Sequence, residues 1–72
     1  MAAQEELFNF IQDGKHVSVY RGEGTSYVFY RINRGSSHST GLRYSADTGR
    51  FTRESGALMS WDEAKTYVRG LL

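Results

Sequence analysis

The 72-residue chain has no cysteine and no proline. Without cysteine there are no disulfides, thiolate metal sites or cysteine nucleophiles. His16 and His38 are its only imidazoles, too few for the usual Cys/His zinc ligand sets. The expectation is no metal and no cofactor. No apolar run approaches the ~18–20 residues that span a bilayer, so no membrane partner is expected. The start, Met1-Ala2-Ala3-Gln4-Glu5-Glu6, is acidic and unlike a signal peptide. With the missing cysteines this reads as a cytoplasmic protein. Opening on Met1 and closing just past a helical pattern, the chain reads as an entire small gene product, with residues 1–72 as a single domain.

A core this small is marginal. One Trp, five Tyr and four Phe are the means of filling it, since each ring buries a large area. With rings on both sheet faces and no covalent staple, the chain is also expected to pair as a homodimer.

Net charge is only +1 but unevenly placed. Residues 15–53 carry Lys15, Arg21, Arg31, Arg34, Arg43, Arg50 and Arg53 against Glu23 and Asp47, while both ends are acidic. A basic middle of this kind points to an anionic partner or an interface.

Hydrophobic spacing predicts a helix over 3–12, with Ala3, Leu7, Phe10 and Ile11 on one face and Asp13-Gly14 as its stop. The period then becomes two. Residues 15–21 and 26–33 read as a hairpin around Gly22-Glu23-Gly24-Thr25, 34–41 as a polar loop, and 42–46 and 50–53 as two further strands. Ser60-Trp61-Asp62-Glu63 fits the S-x-x-E capping box, with Met59 placed to staple onto Ala64. Trp61, Ala64, Val68 and Leu71 follow at helical spacing, and Trp61 is expected to be largely buried. The predicted fold is α+β, in the order α-β-β-β-β-α, an antiparallel four-stranded sheet with two helices packed on one face.

Alternation assigns Val17, Val19, Val28, Tyr30, Ile32, Leu42, Tyr44 and Phe51 to the core. It leaves His16, Tyr20, Tyr27, Phe29, Arg31 and Arg43 on the opposite face. Strands followed by a helix opening Trp61-Asp62-Glu63-Ala64-Lys65-Thr66-Tyr67 resemble the sheet-plus-helix DNA readers of certain plant transcription-factor domains and phage-integrase arm domains. The likeness spans about half the chain, is architectural, and implies reading through the sheet.

No catalytic constellation emerges. No serine lies in a G-x-S-x-G elbow, and the only imidazoles sit in a strand, His16, and in the polar loop, His38. The carboxylate pairs Glu5/Glu6 and Asp62/Glu63 suit helix starts. Gly22-Glu23-Gly24 lacks the following helix of a phosphate loop. The loop from Arg34 to Gly41 offers hydroxyls and amides able to hold an anion.

What remains is arginine interleaved with aromatics. The candidate binding residues are Tyr20, Tyr27, Phe29, Arg31, Arg34, Arg43 and Arg50. Rings stack on bases and guanidinium groups bind phosphates, so the leading expectation is a non-enzymatic nucleic-acid-binding module. The alternative is a small phage- or mobile-element-type regulator or inhibitor, binding a host protein or a larger protein or nucleoprotein complex through the same face, because Tyr and Arg also dominate protein interfaces. A third reading makes the arginines cross-strand partners of Glu23, Asp47 and Glu54.

Overall fold

Asp13 and Gly14 both adopt left-handed backbone, φ 51° and 75°. Two consecutive positive φ values define the type I′ turn that joins twisted antiparallel strands. The Asp-Gly pair therefore closes a hairpin where a helix stop was expected. The computed structural model describes residues 5–72. Its elements are β1 (Glu5–Gln12), β2 (Lys15–Arg21), β3 (Tyr27–Ile32), β4 (His38–Ser45), β5 (Arg50–Arg53), β6 (Leu58–Met59) and α1 (Trp61–Leu71). The strands form one antiparallel sheet in chain order, β1-β2-β3-β4-β5-β6.

The expected α-β-β-β-β-α order, with four strands and two helices, is thus overturned. Among the described residues the sheet has six strands, curls into a half-barrel and carries a single helix. The segment expected as the first helix is strand β1, and Ala3, placed on that helix, lies outside the described residues. A bulge between Glu6 and Phe8 explains the misreading. It lets Leu7 and Phe8 both pack toward the core, so the apolar doublet imitates a helical face. Ile11, expected on the apolar face of that helix, is instead 74% exposed.

One expected strand is longer than its sequence suggests, and one further strand was not expected. β4 starts at His38, within the expected polar loop, so that only Asn33 to Ser37 connects it to β3. Asn33 and Arg34, φ 50° and 62°, make that turn, with the Gly35 amide donating to the Ile32 carbonyl at 2.9 Å. In β4 the register shifts around Gly41, whose φ of 79° suits glycine. Buried Thr40 repairs the interrupted ladder: its hydroxyl donates to the Val28 carbonyl at 2.8 Å and accepts from the Leu42 amide at 3.1 Å. β6 is only Leu58–Met59, pairing with Thr52 and Phe51.

Curling is visible in the rings. Phe8 on β1 meets Phe51 on β5 with centroids 6.0 Å apart. In a flat sheet four strand spacings would separate them by about 19 Å. The inner face buries Phe8, Phe10, Val17, Val19, Val28, Leu42, Phe51 and Met59 around Ala64 and Val68 of α1. Tyr30, Ile32 and Tyr44 pack at its margin, as the alternation predicts.

The helix begins as its capping box predicts. Ser60 Oγ accepts from the Glu63 amide at 3.2 Å, and Glu63 Oε1 accepts from the Ser60 amide at 2.8 Å. The backbone hydrogen bond, then that of the Ser60 hydroxyl, holds the Glu63 carboxyl below its ordinary value. Met59 and Ala64 are buried in the same cluster. Trp61 is less buried than expected, at 37% exposed. Its ring still meets Phe8, Tyr44 and Phe51 edge-on, and its indole N–H donates to the Gly49 carbonyl at 3.0 Å. Further along α1, Lys65 and Arg69 lie over Phe8 and Phe10.

Candidate functional site

Register decides what the convex side of the sheet presents. Tyr20 is opposite Phe29 and Ser18 opposite Arg31 across β2 and β3. Tyr27 is opposite Arg43 across β3 and β4, and Arg43 opposite Thr52 on β5. The bulge in β1 turns Glu6 to this side, opposite Tyr20, and sends Glu5 to the other, where it pairs with Arg21 at 2.7 Å.

Two arginine–tyrosine pairs organise the face. In the first, the Arg31 guanidinium carbon lies 4.9 Å from the Tyr20 ring centroid, and Phe29 stacks on Tyr20 at 5.9 Å and 25°. The connection after β3 folds over this cluster. The Ser37 hydroxyl hydrogen-bonds to the Tyr20 hydroxyl and accepts from Arg31 Nε at 3.2 Å. Tyr20 is consequently only 5% exposed. It anchors the face and leaves little ring for a partner. Phe29 and Arg31 are half-buried around it. In the second pair, Arg43 lies 5.7 Å from the Tyr27 ring, and here Tyr27 is 53% exposed and Arg43 exposed.

Hollows flank both pairs. Glu6, Ser18, Tyr20, Arg31 and Arg34 line a groove of ≈ 300 Å³. Tyr27, Ser39, Gly41, Arg43 and Glu54 line another of ≈ 260 Å³. The structure thus brings Tyr20, Phe29, Arg31 and Arg34 into one neighbourhood and Tyr27 with Arg43 into a second. Arg50 stands apart, exposed at the start of β5, where its charge acts on Glu63 of α1.

Glu6, Ser18 and Ser37 join the site without having been singled out in the sequence. Ser18 shares the outward alternation of Tyr20 and could have been read from it. Glu6 was assigned to a helix start, and Ser37 was one hydroxyl among several in a loop.

The electrostatics separate two readings of the arginines. Among the described residues, Arg21–Glu5 is the only ion pair. Arg31, Arg34, Arg43 and Arg50 therefore do not act as salt-bridge partners of Glu23, Asp47 or Glu54. A guanidinium lying on a ring keeps most of its N–H fork for an external acceptor. Among the described residues no group of three or more His, Asp or Glu side chains could hold a metal ion, and no helix is long and apolar enough to cross a membrane. Comparison with protein-family models, with curated proteins and with solved structures finds no match to this chain.

Proposed function

We propose that the convex sheet face binds single-stranded nucleic acid. The observation that carries this is the pair of arginines, Arg31 and Arg43, each set on a tyrosine ring with no carboxylate partner. The guanidinium groups offer N–H donors to phosphate, and half-exposed Tyr27 with partly exposed Phe29 supplies π-faces on which bases can stack. Arg34, exposed in the neighbouring turn, adds a third cation. A single strand suits the shape better than a duplex. The molecule measures 32 × 30 × 16 Å, and a curved face of that breadth exceeds a major groove of about 12 Å. No reaction is assigned to the face.

Fluorescence anisotropy with a short labelled oligonucleotide over a range of salt concentrations tests the proposal. Affinity should fall linearly with salt on logarithmic axes, with a slope of about −0.7 per phosphate contact. Arg34→Ala with Arg43→Ala should weaken binding and reduce the slope by roughly 1.4.

A protein partner is the second reading, favoured by the exposure of Ile11, Tyr27 and Leu58, three large apolar or aromatic side chains. Binding that is indifferent to salt, or to the loss of both arginines, would favour it over the nucleic-acid reading.

A further inference from the structure

Glu6 and Glu5 are adjacent in the chain, yet among the described residues only Glu5 has a basic partner. Glu5 pairs with Arg21, whereas Glu6 lines the same groove as Arg31 and Arg34 without coming within ion-pair distance of either. One Glu6 oxygen, Oε2, accepts from Asn9 Nδ2 at 2.5 Å, which fixes the carboxylate, and among the described residues Oε1 has no donor. Two guanidinium groups and a carboxylate thus face one hollow beside the Ser18 hydroxyl and the Tyr20 ring. A ligand complementary to all of them carries an anion at one end and N–H donors at the other.

We infer that this groove receives one nucleotide of a bound single strand, its phosphate on Arg31 and Arg34 and its base amino group on Glu6. The inference rests on the nucleic-acid reading above and adds base selectivity to it. Carboxylates accept from the exocyclic amino group of cytosine, while thymine presents a carbonyl oxygen at the same position. A negatively charged acceptor repels that oxygen. In a single strand these edges are unpaired and open to a side chain. Cytosine and thymine are both pyrimidines, so their comparison isolates the edge from the large stacking differences between purines and pyrimidines. The groove volume, ≈ 300 Å³, is at the small end of ligand sites, as suits one nucleotide.

The test compares oligodeoxycytidine and oligodeoxythymidine of equal length, at one salt concentration and mildly alkaline pH. The unmutated protein should bind the cytidine strand roughly tenfold more tightly, the scale of one charge-assisted hydrogen bond. Glu6→Gln should bind the thymidine strand more tightly than the unmutated protein does, because a repulsive charge is gone, and the ratio should fall toward one. Glu6→Asp keeps the charge but shortens its reach, and should also lose the preference. Arg34→Ala should weaken both strands and leave the ratio unchanged. Equal, salt-sensitive binding of both strands by the unmutated protein would overturn the role of Glu6 and leave the nucleic-acid reading standing. So would a Glu6→Gln variant that keeps the tenfold ratio. Failure to bind either strand would overturn both.

Discussion

Arg31 and Arg43 have similar neighbours in the sequence, and each lies over a tyrosine, but their surroundings differ. Arg31 is half-buried, tied through Nε to Ser37 and placed over a Tyr20 that is itself enclosed. Arg43 is exposed and its tyrosine half in solvent. Cation–π contacts contribute more as they are desolvated, and loss of Arg31 also leaves Ser37 short of a donor. Arg31→Ala should therefore destabilise the fold by about 1–2 kcal/mol, and Arg43→Ala by no more than ~0.5 kcal/mol. Urea unfolding midpoints of the two variants make the comparison. Equal shifts would show that the Ser37 cover contributes nothing. The same contrast explains how much of the site was legible. Period-two alternation placed Tyr20, Tyr27, Phe29, Arg31 and Arg43 on one face without knowledge of the pairing. It could not show that the 33–37 connection folds back to bury Tyr20, because that depends on two positive φ values at Asn33 and Arg34, neither of them glycine.

At the scale of elements, legibility followed the strength of local chemistry. The Ser60/Glu63 box specifies the start of α1 through side-chain hydrogen bonds made within four residues, and the helix begins there. β1 was lost because two local signals conflict. Asp13-Gly14 serves equally as a helix stop or a hairpin turn, and the bulge at Leu7 breaks the alternation that would have favoured the hairpin. The start of β4 was lost because His38, Ser39, Thr40 and Gly41 are small or polar and read as loop, although Ser39 and His38 pair with Phe29 and Tyr30 and Thr40 bridges the register shift. The cap also sets a pH dependence. With its folded value depressed by the Ser60 amide and hydroxyl, Glu63 contributes stability that is fully present above its unfolded value. That contribution is lost as pH falls through the lower folded value. Glu63→Gln keeps an acceptor for the Ser60 amide but has no charge to titrate. Thermal melts from roughly pH 5 to pH 2 should show the unmutated protein losing more stability than Glu63→Gln at the acid end. Parallel acid limbs would mean that the cap is already open in the folded protein.

The whole molecule depends on how its ends meet. All strand pairings are between neighbours in the chain, so among the described residues nothing in the hydrogen-bond ladder joins β1 to β5 or β6. Closure comes from side chains. Phe8 touches Phe51 and Trp61, Lys65 lies over Phe8, Arg69 over Phe10, and Gln12 reaches the Arg69 carbonyl at 3.5 Å. Such closure is invisible to a sequence reading, because it joins residues more than forty apart through side chains alone. Trp61, the only tryptophan, sits where β1, β4 and β5 converge on α1 and so reports closure directly. A sheet that stayed formed while its ends separated would expose Phe8 and Phe51, both now buried, and small folds have little stability in reserve for that. Closure and sheet should therefore melt together. Trp61 fluorescence and far-ultraviolet circular dichroism should give coincident urea transitions. Phe8→Leu should shift both midpoints down by the same amount, with the slope unchanged. If the Trp61 signal is lost first, the half-barrel opens as a separate step, and its convex face can change curvature without unfolding. Any strand bound to that face would then couple to opening, and a saturating oligonucleotide would bring the two transitions back together.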